Sequence, residues 1–118
     1  MMNICITDYS EKYLLNLAEA EKECFSEPWS ENALKDFFSY SHNNALVALV
    51  DGDFAGYITY SIILDEIQIA NVATLPEFRR KNIGLSLVEK IISVAKEKNC
   101  RIIFLEVRAN NNPAIKLY

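Results

Sequence analysis

The 118-residue chain has room for one domain, and its 51% hydrophobic and 24% charged residues suit a globular protein with a modest core. A formal net charge of -4 argues against nucleic-acid binding through a broad basic face, although a mildly acidic surface would still attract a basic peptide. Cys5, Cys24 and Cys100 stand far apart and in no CxxC or CxxH pattern, which argues against a disulfide framework or a zinc site and points to a reducing cytoplasm. No basic-then-apolar leader opens the chain and no apolar run approaches the roughly 18 residues of a membrane span, so a soluble cytoplasmic protein is expected.

Residues 3–7 read as a short strand. Asp8 is predicted to cap a helix, with Glu11 as its capping-box partner and Leu14, Leu17, Ala18, Cys24 and Phe25 following at helical spacing. Pro28 breaks that helix; Ser30 restarts one as an N-cap, and Ala33, Leu34, Phe37 and Phe38 make its apolar face. Residues 45–50 are a continuous apolar run, hence a buried strand, and Asp51-Gly52 is a hairpin turn leading into a returning strand over 54–63. Asp65-Glu66 marks a second turn, and 67–73 alternates as a third strand that Pro76 ends. Ile83, Leu87, Val88, Ile91, Ile92 and Ala95 then form a strongly periodic helix, which Lys96 and Lys98 finish with positive charge at the negative end of its dipole. Residues 102–107 read as another buried strand, and Asn111-Asn112-Pro113 as the start of a last helix. The order β-α-α-β-β-β-α-β-α contains one βαβ unit, whose two strands should be parallel and right-handed, after three antiparallel strands.

Three clusters have chemical character. Arg79-Arg80-Lys81-Asn82-Ile83-Gly84 lies between a strand and a helix start, where free backbone N–H groups, a positive dipole end, cations and a glycine together suit a phosphate. A solvated basic loop that merely caps the helix fits the same residues equally well. In the extended segment 102–108, Ile102, Phe104, Glu106 and Arg108 share a face. A carboxylate on such a face is either paired, here with Arg108, or functional, and desolvation would make Glu106 a better base near neutral pH. Ala114, Ile115 and Tyr118 share a helical face, on which Tyr118 is core filler unless it meets a leaving group. His42 sits in a polar loop and reads as solvated, and Trp29 reads either as a staple between two helices or as the anchor of a substrate loop.

Pro28-Trp29-Ser30, Leu64-Asp65-Glu66, Asn71-Val72-Ala73 and the segments 76–84, 105–111 and 114–118 together resemble the GNAT superfamily of acyl-CoA-dependent N-acetyltransferases. Within it they are similar to the bacterial ribosomal-protein-alanine N-acetyltransferases, the RimI group. The resemblance implies an α/β (α+β) fold with a mixed, mostly antiparallel central sheet, a parallel βαβ unit and a single domain over 1–118. It implies acetyl-CoA as co-substrate and no metal. Val72, Ala73 and Thr74 would lie on the strand that binds the acetyl and pantetheine part, Arg80, Lys81, Asn82, Ile83, Gly84 and Leu85 would form the pyrophosphate loop, and Asn111 would contact the cofactor. Glu106 matches the family's general base and Tyr118 its general acid. The implied acceptor is the N-terminal α-amine of a protein, an N-terminal alanine of a small-subunit ribosomal protein, with no nucleic acid or membrane as partner. A GNAT acting on a small amine or on lysine, and a non-catalytic acyl-CoA-binding module, are the alternatives.

The chain departs from the family pattern at two points. Asn82 stands where the pyrophosphate loop usually has its first glycine; asparagine tolerates the left-handed conformation best among the other residues. The family continues past the tyrosine with a Gly-Phe turn and two more strands, whereas this sequence stops at Tyr118. The sheet edge at 102–107 is therefore expected to stay unpaired, to promote self-association and to make turnover poor.

Overall fold

A computed structural model describes residues 2–105. Five strands, β1 (Ile4–Asp8), β2 (Asn43–Val50), β3 (Asp53–Ile63), β4 (Glu66–Thr74) and β5 (Ile102–Leu105), form one sheet in the order β1-β2-β3-β4-β5. The first three pairings are antiparallel and β4–β5 is parallel, as the single βαβ unit requires. Helices α1 (Leu14–Cys24) and α2 (Glu31–Phe38) precede β2, and α3 (Ile83–Glu97) makes the crossover from β4 to β5.

Strands β2, β3 and β4 each feed two apolar layers because successive side chains point to opposite faces. Leu46, Ile58, Tyr60, Ile67, Ile69 and Val72 pack with Ile83, Leu87, Ile91 and Ala95 of α3. The alternate residues Val47, Tyr57 and Ala73 pack with Leu14, Leu17, Ala18, Phe25 and Leu34 from α1, its C-terminal end and α2.

The turns follow from residue type. Asp51 and Gly52 both take positive φ, 51° and 89°, the geometry that matches a two-residue hairpin to the strand twist. The second turn is centred one residue earlier than expected, on Leu64 (φ 57°) and Asp65, and Glu66 already opens β4. Ser30 caps α2 as expected, its Oγ accepting the Ala33 N–H at 3.1 Å.

Three expectations are corrected. Asp8 caps no helix; it ends β1 opposite Leu46, and the next N–H, of Tyr9, still donates to the Ala45 carbonyl at 3.0 Å. Sheet pairing thus holds the chain extended past the capping signal, and α1 starts only after a 3-10 turn over Glu11–Tyr13. Ala33, assigned to the buried face of α2, is exposed, which leaves Leu34 as that helix's buried residue. β5 is not buried over its described length: Ile102, Ile103 and Phe104 are 40%, 37% and 44% exposed. Among the described residues only β4 flanks it, and an apolar crevice lined by Ile69, Val88, Ile91, Ile92, Ile103 and Leu105 separates it from α3. The rest of that expected strand and the expected last helix lie outside the described residues.

Arg101 ties the start of β5 to the turn before β4. Its N–H donates to the Asp65 carbonyl at 2.7 Å and its guanidinium pairs with the Asp65 carboxylate. That hydrogen bond and charge hold the Asp65 carboxyl below the usual carboxylate range. A lowered folded-state pKa contributes stability above the ordinary value that is lost as pH falls through the lowered one. Asp65→Asn should therefore reduce the melting temperature modestly at neutral pH, since the pair is exposed, and the difference should close below the ordinary carboxylate range. A difference that survives in acid would assign the effect to the turn backbone instead.

Candidate active site

The C-terminal end of β4 and the first turn of α3 meet at one place. Ile83, the first residue of α3, is buried in the same apolar cluster as Val72, which fixes the helix start against the strand end. Between them run a 3-10 turn over Pro76–Phe78 and the basic segment 79–82.

A β-bulge shapes β4 just before this end. Thr59 pairs with Asn71 and Tyr60 with Ile69, so Ala70 is the extra residue on β4. The Thr59 hydroxyl accepts the Asn71 N–H at 3.1 Å inside the core. The bulge shifts side-chain parity by one, so that Ile67, Ile69 and Val72 all face α3 while Ala73 faces α1. Neither the bulge nor Thr59 was anticipated from the sequence; the available signal is the slip of the apolar period from 67 and 69 to 72.

The basic segment divides its labour. Arg79 turns back from the loop: its Nε donates to the Thr74 carbonyl at 3.2 Å and its Nη2 approaches the Cys24 sulfur at 3.8 Å. It fastens the turn after β4 to the end of α1. Burial pushes the Cys24 thiol pKa up, with Arg79 partly opposing, so Cys24 stays a neutral thiol. Arg80 (φ 66°) and Asn82 (φ 61°, ψ 26°) both adopt the left-handed conformation, as anticipated for Asn82. Lys81 lies over the Phe78 ring at 5.9 Å, and Arg80 and Lys81 are exposed.

The helix start has the properties of an anion site. The first internal bond of α3 runs from the Ser86 N–H to the Asn82 carbonyl at 3.0 Å. The N–H groups of Ile83, Gly84 and Leu85 therefore have no partner within the helix, and they sit at the positive end of its dipole. The structure thus brings together Val72, Ala73 and Thr74 with Arg80, Lys81, Asn82, Ile83, Gly84 and Leu85. Glu106, Asn111 and Tyr118 lie outside the described residues.

Residues 14–118 match the acetyltransferase (GNAT) family. The chain belongs to the GNAT acetyltransferase family. A Bacillus subtilis protein, provisionally named a ribosomal protein bS18-alanine N-acetyltransferase, is 36% identical over 101 residues, 85% of this chain and 67% of that protein. The ribosomal-protein-S18-alanine N-acetyltransferase of Escherichia coli superposes with a TM-score of 0.88 at 26% identity, over 98% of this chain and 74% of that one. The fold also recurs in the PaiA N-acetyltransferase of Thermoplasma acidophilum, crystallised with coenzyme A, at a TM-score of 0.84 and 23% identity, over 98% of this chain and 86% of that one. The chain spans about two thirds of the length of the curated relatives it matches. GNAT membership makes it an N-acetyltransferase that uses acetyl-CoA. The donors at the start of α3, with Lys81 beside them, fit the diphosphate of that co-substrate.

Proposed function

We propose that this GNAT chain acetylates the N-terminal α-amine of a protein, with the N-terminal alanine of a small-subunit ribosomal protein as acceptor. The observation that carries the catalytic reading is the meeting of the bulged end of β4 with the open N-terminus of α3. The acceptor reading is supported by the names of the Bacillus and Escherichia relatives. A ribosomal acceptor would place the protein in the cytoplasm.

In this reading the N–H groups of Ile83, Gly84 and Leu85, with Arg80, Lys81 and Asn82 around them, hold the diphosphate. Val72, Ala73 and Thr74 align the acyl end through their backbone, and Asn111 adds a contact to the cofactor. The neutral amine attacks the thioester carbonyl; the C–N bond forms, the C–S bond breaks, and backbone N–H groups near Val72 and Ala73 stabilise the intermediate oxyanion. Glu106 accepts the amine's proton and Tyr118 supplies one to the departing thiolate.

The test is acetyl transfer from acetyl-CoA to a panel of N-terminal peptides, lysine-containing peptides with blocked N-termini and small amines. The expected result is preference for an N-terminal alanine; preference for a small amine or a lysine side chain would overturn the acceptor assignment. Binding has its own readout. Acetyl-CoA at about 100 times its dissociation constant should add roughly 2.7 kcal/mol of stability, and a melt that saturating acetyl-CoA leaves in place would count against the site.

The Asn82 backbone makes a further prediction. Asn82→Gly should leave acetyl-CoA affinity intact or improved, because glycine adopts φ 61° without penalty. Asn82→Ala should lose on the order of 1 kcal/mol of stability from the same left-handed geometry. Calorimetric titration checks the first and urea unfolding the second; a large loss of affinity in Asn82→Gly would mean that the Asn82 side chain itself contacts the ligand.

A further inference from the structure

Glu21 is a carboxylate with no exposed surface, on the inner face of α1 among Leu17, Ala18 and Ala20. Its Oε1 accepts the Trp29 backbone N–H at 2.8 Å and its Oε2 accepts the hydroxyl of Tyr57, which is itself fully buried. One side chain therefore joins α1, the α1–α2 connector and the middle of β3. An apolar side chain would fill the same space without the cost of desolvating a carboxylate. What the carboxylate adds is direction, because it fixes where the connector runs before Ser30 starts α2.

That connector lies beside the proposed acyl-binding strand. Tyr57 is the cross-strand partner of Ala73. The residue that closes α1, Cys24, approaches the Thr74 carbonyl with its sulfur at 3.5 Å, and Arg79 binds both. Segment 25–30 thus leaves α1 directly next to Ala73 and Thr74, and its far end is braced where the Trp29 ring packs on Phe37, with centroids 5.6 Å apart. It also presents Ser26 and Glu27 at the surface.

We propose that Glu21 is a positioning residue for the acceptor: clamped between the Tyr57 hydroxyl and the Trp29 amide, it holds segment 25–30 as the wall against which the acceptor's N-terminus docks beside Ala73 and Thr74. The inference rests on the acetyl-transfer reading above. It separates the two substrates, since the diphosphate site at α3 shares no residue with the clamp.

The experiment compares wild type, Glu21→Ala, Glu21→Gln and Tyr57→Phe in steady-state acetyl transfer from acetyl-CoA to an alanine-initiated peptide, alongside amide exchange of residues 25–30. Losing a hydrogen bond to a charged group should raise the peptide KM of Glu21→Ala by about 10-fold or more. Its acetyl-CoA KM should stay within about twofold. Glu21→Gln should recover most of the loss, because its carbonyl can accept the Trp29 N–H while its amide donates to the Tyr57 oxygen. Tyr57→Phe should raise the peptide KM several-fold, roughly in line with one lost bond. Exchange at 25–30 should accelerate in Glu21→Ala and not in Glu21→Gln. An unchanged peptide KM overturns the proposal, and so does a parallel rise in both KM values, which would mean general loosening. Should Glu21→Ala fail to fold, Tyr57→Phe decides by the same criteria. A wild type that acetylates a small amine and no peptide removes the N-terminal acceptor alone; the KM comparison with that amine then decides the clamp.

Discussion

Gly56→Ala should destabilise the chain by about 3 kcal/mol, the upper part of the range for overpacking a core. A β-carbon at Gly56 would lie 2.4 Å from the Ala73 carbonyl oxygen and 3.2 Å from the Thr74 α-carbon. Both are backbone atoms, so no rotamer change makes room, and β3 must move away from β4 where Gly56 faces Thr74. A second bulge, on β3 against β2, offers little slack, since Ala55, its extra residue between Phe54 and Gly56, already accepts the Leu75 N–H on its carbonyl at 2.8 Å. The melting temperature should fall by roughly 10 °C or more for a domain of this size. The urea midpoint should fall with the slope unchanged. The same displacement shifts Ala73 and Thr74, so acetyl-CoA affinity should fall too. Gly52→Ala is the control: Gly52, unlike Gly56, takes positive φ, 89°, but no atom lies within 4 Å of its added β-carbon. It should cost only about 1 kcal/mol through the backbone and leave acetyl-CoA affinity alone. A Gly56→Ala chain that melts and binds like wild type would show that β3 and β4 can separate here freely.

The contrast between these glycines also indicates what a linear reading can recover. Asp51-Gly52 announces its turn because the chemistry is local: two neighbouring residues that tolerate positive φ between two apolar runs. The left-handed Asn82, the Ser30 cap and the period of α3 are legible for the same reason. Gly56 gives no local sign, because what it must avoid is the Ala73 carbonyl on another strand. Asp8 misleads in the same way, since its pairing with Leu46 outweighs a plausible capping box. Glu21 looks like any helix-surface carboxylate until β3, 36 residues on, brings the Tyr57 hydroxyl against it. Arg79 reads as one of three loop cations, and only the fold turns it back onto Thr74 and Cys24. The residues proposed for the diphosphate are open to a linear reading because a strand end, a loop and a helix start lie in one stretch. The proposed acceptor side offers the sequence only Trp29, because its other parts come from α1 and β3.

Glu106→Gln should slow acetyl transfer by about 10²–10⁴-fold near pH 7 while leaving acetyl-CoA affinity unchanged. An α-amine has a pKa of roughly 7.7–8.0, so near neutrality most of it carries a proton and cannot attack a thioester. The reaction needs a base beside the nucleophile, and the resemblance to the family assigns that role to Glu106, which follows Leu105 at the described end of β5. Glutamine keeps the size and a hydrogen-bonding oxygen but has negligible basicity, so the loss should appear in kcat rather than in the KM for acetyl-CoA. The pH profile adds an independent sign. As pH rises past the amine's own pKa, solvent removes more of the proton and the deficit of the variant should narrow; as pH falls it should widen. Tyr118→Phe should act differently: it removes the donor proposed for the departing thiolate, and its deficit should not shrink where the amine is already neutral. Rates of Glu106→Gln equal to wild type from pH 6 to 9 would favour the other role the sequence allows Glu106, an ion-pair partner of Arg108, and would leave proton removal to another group.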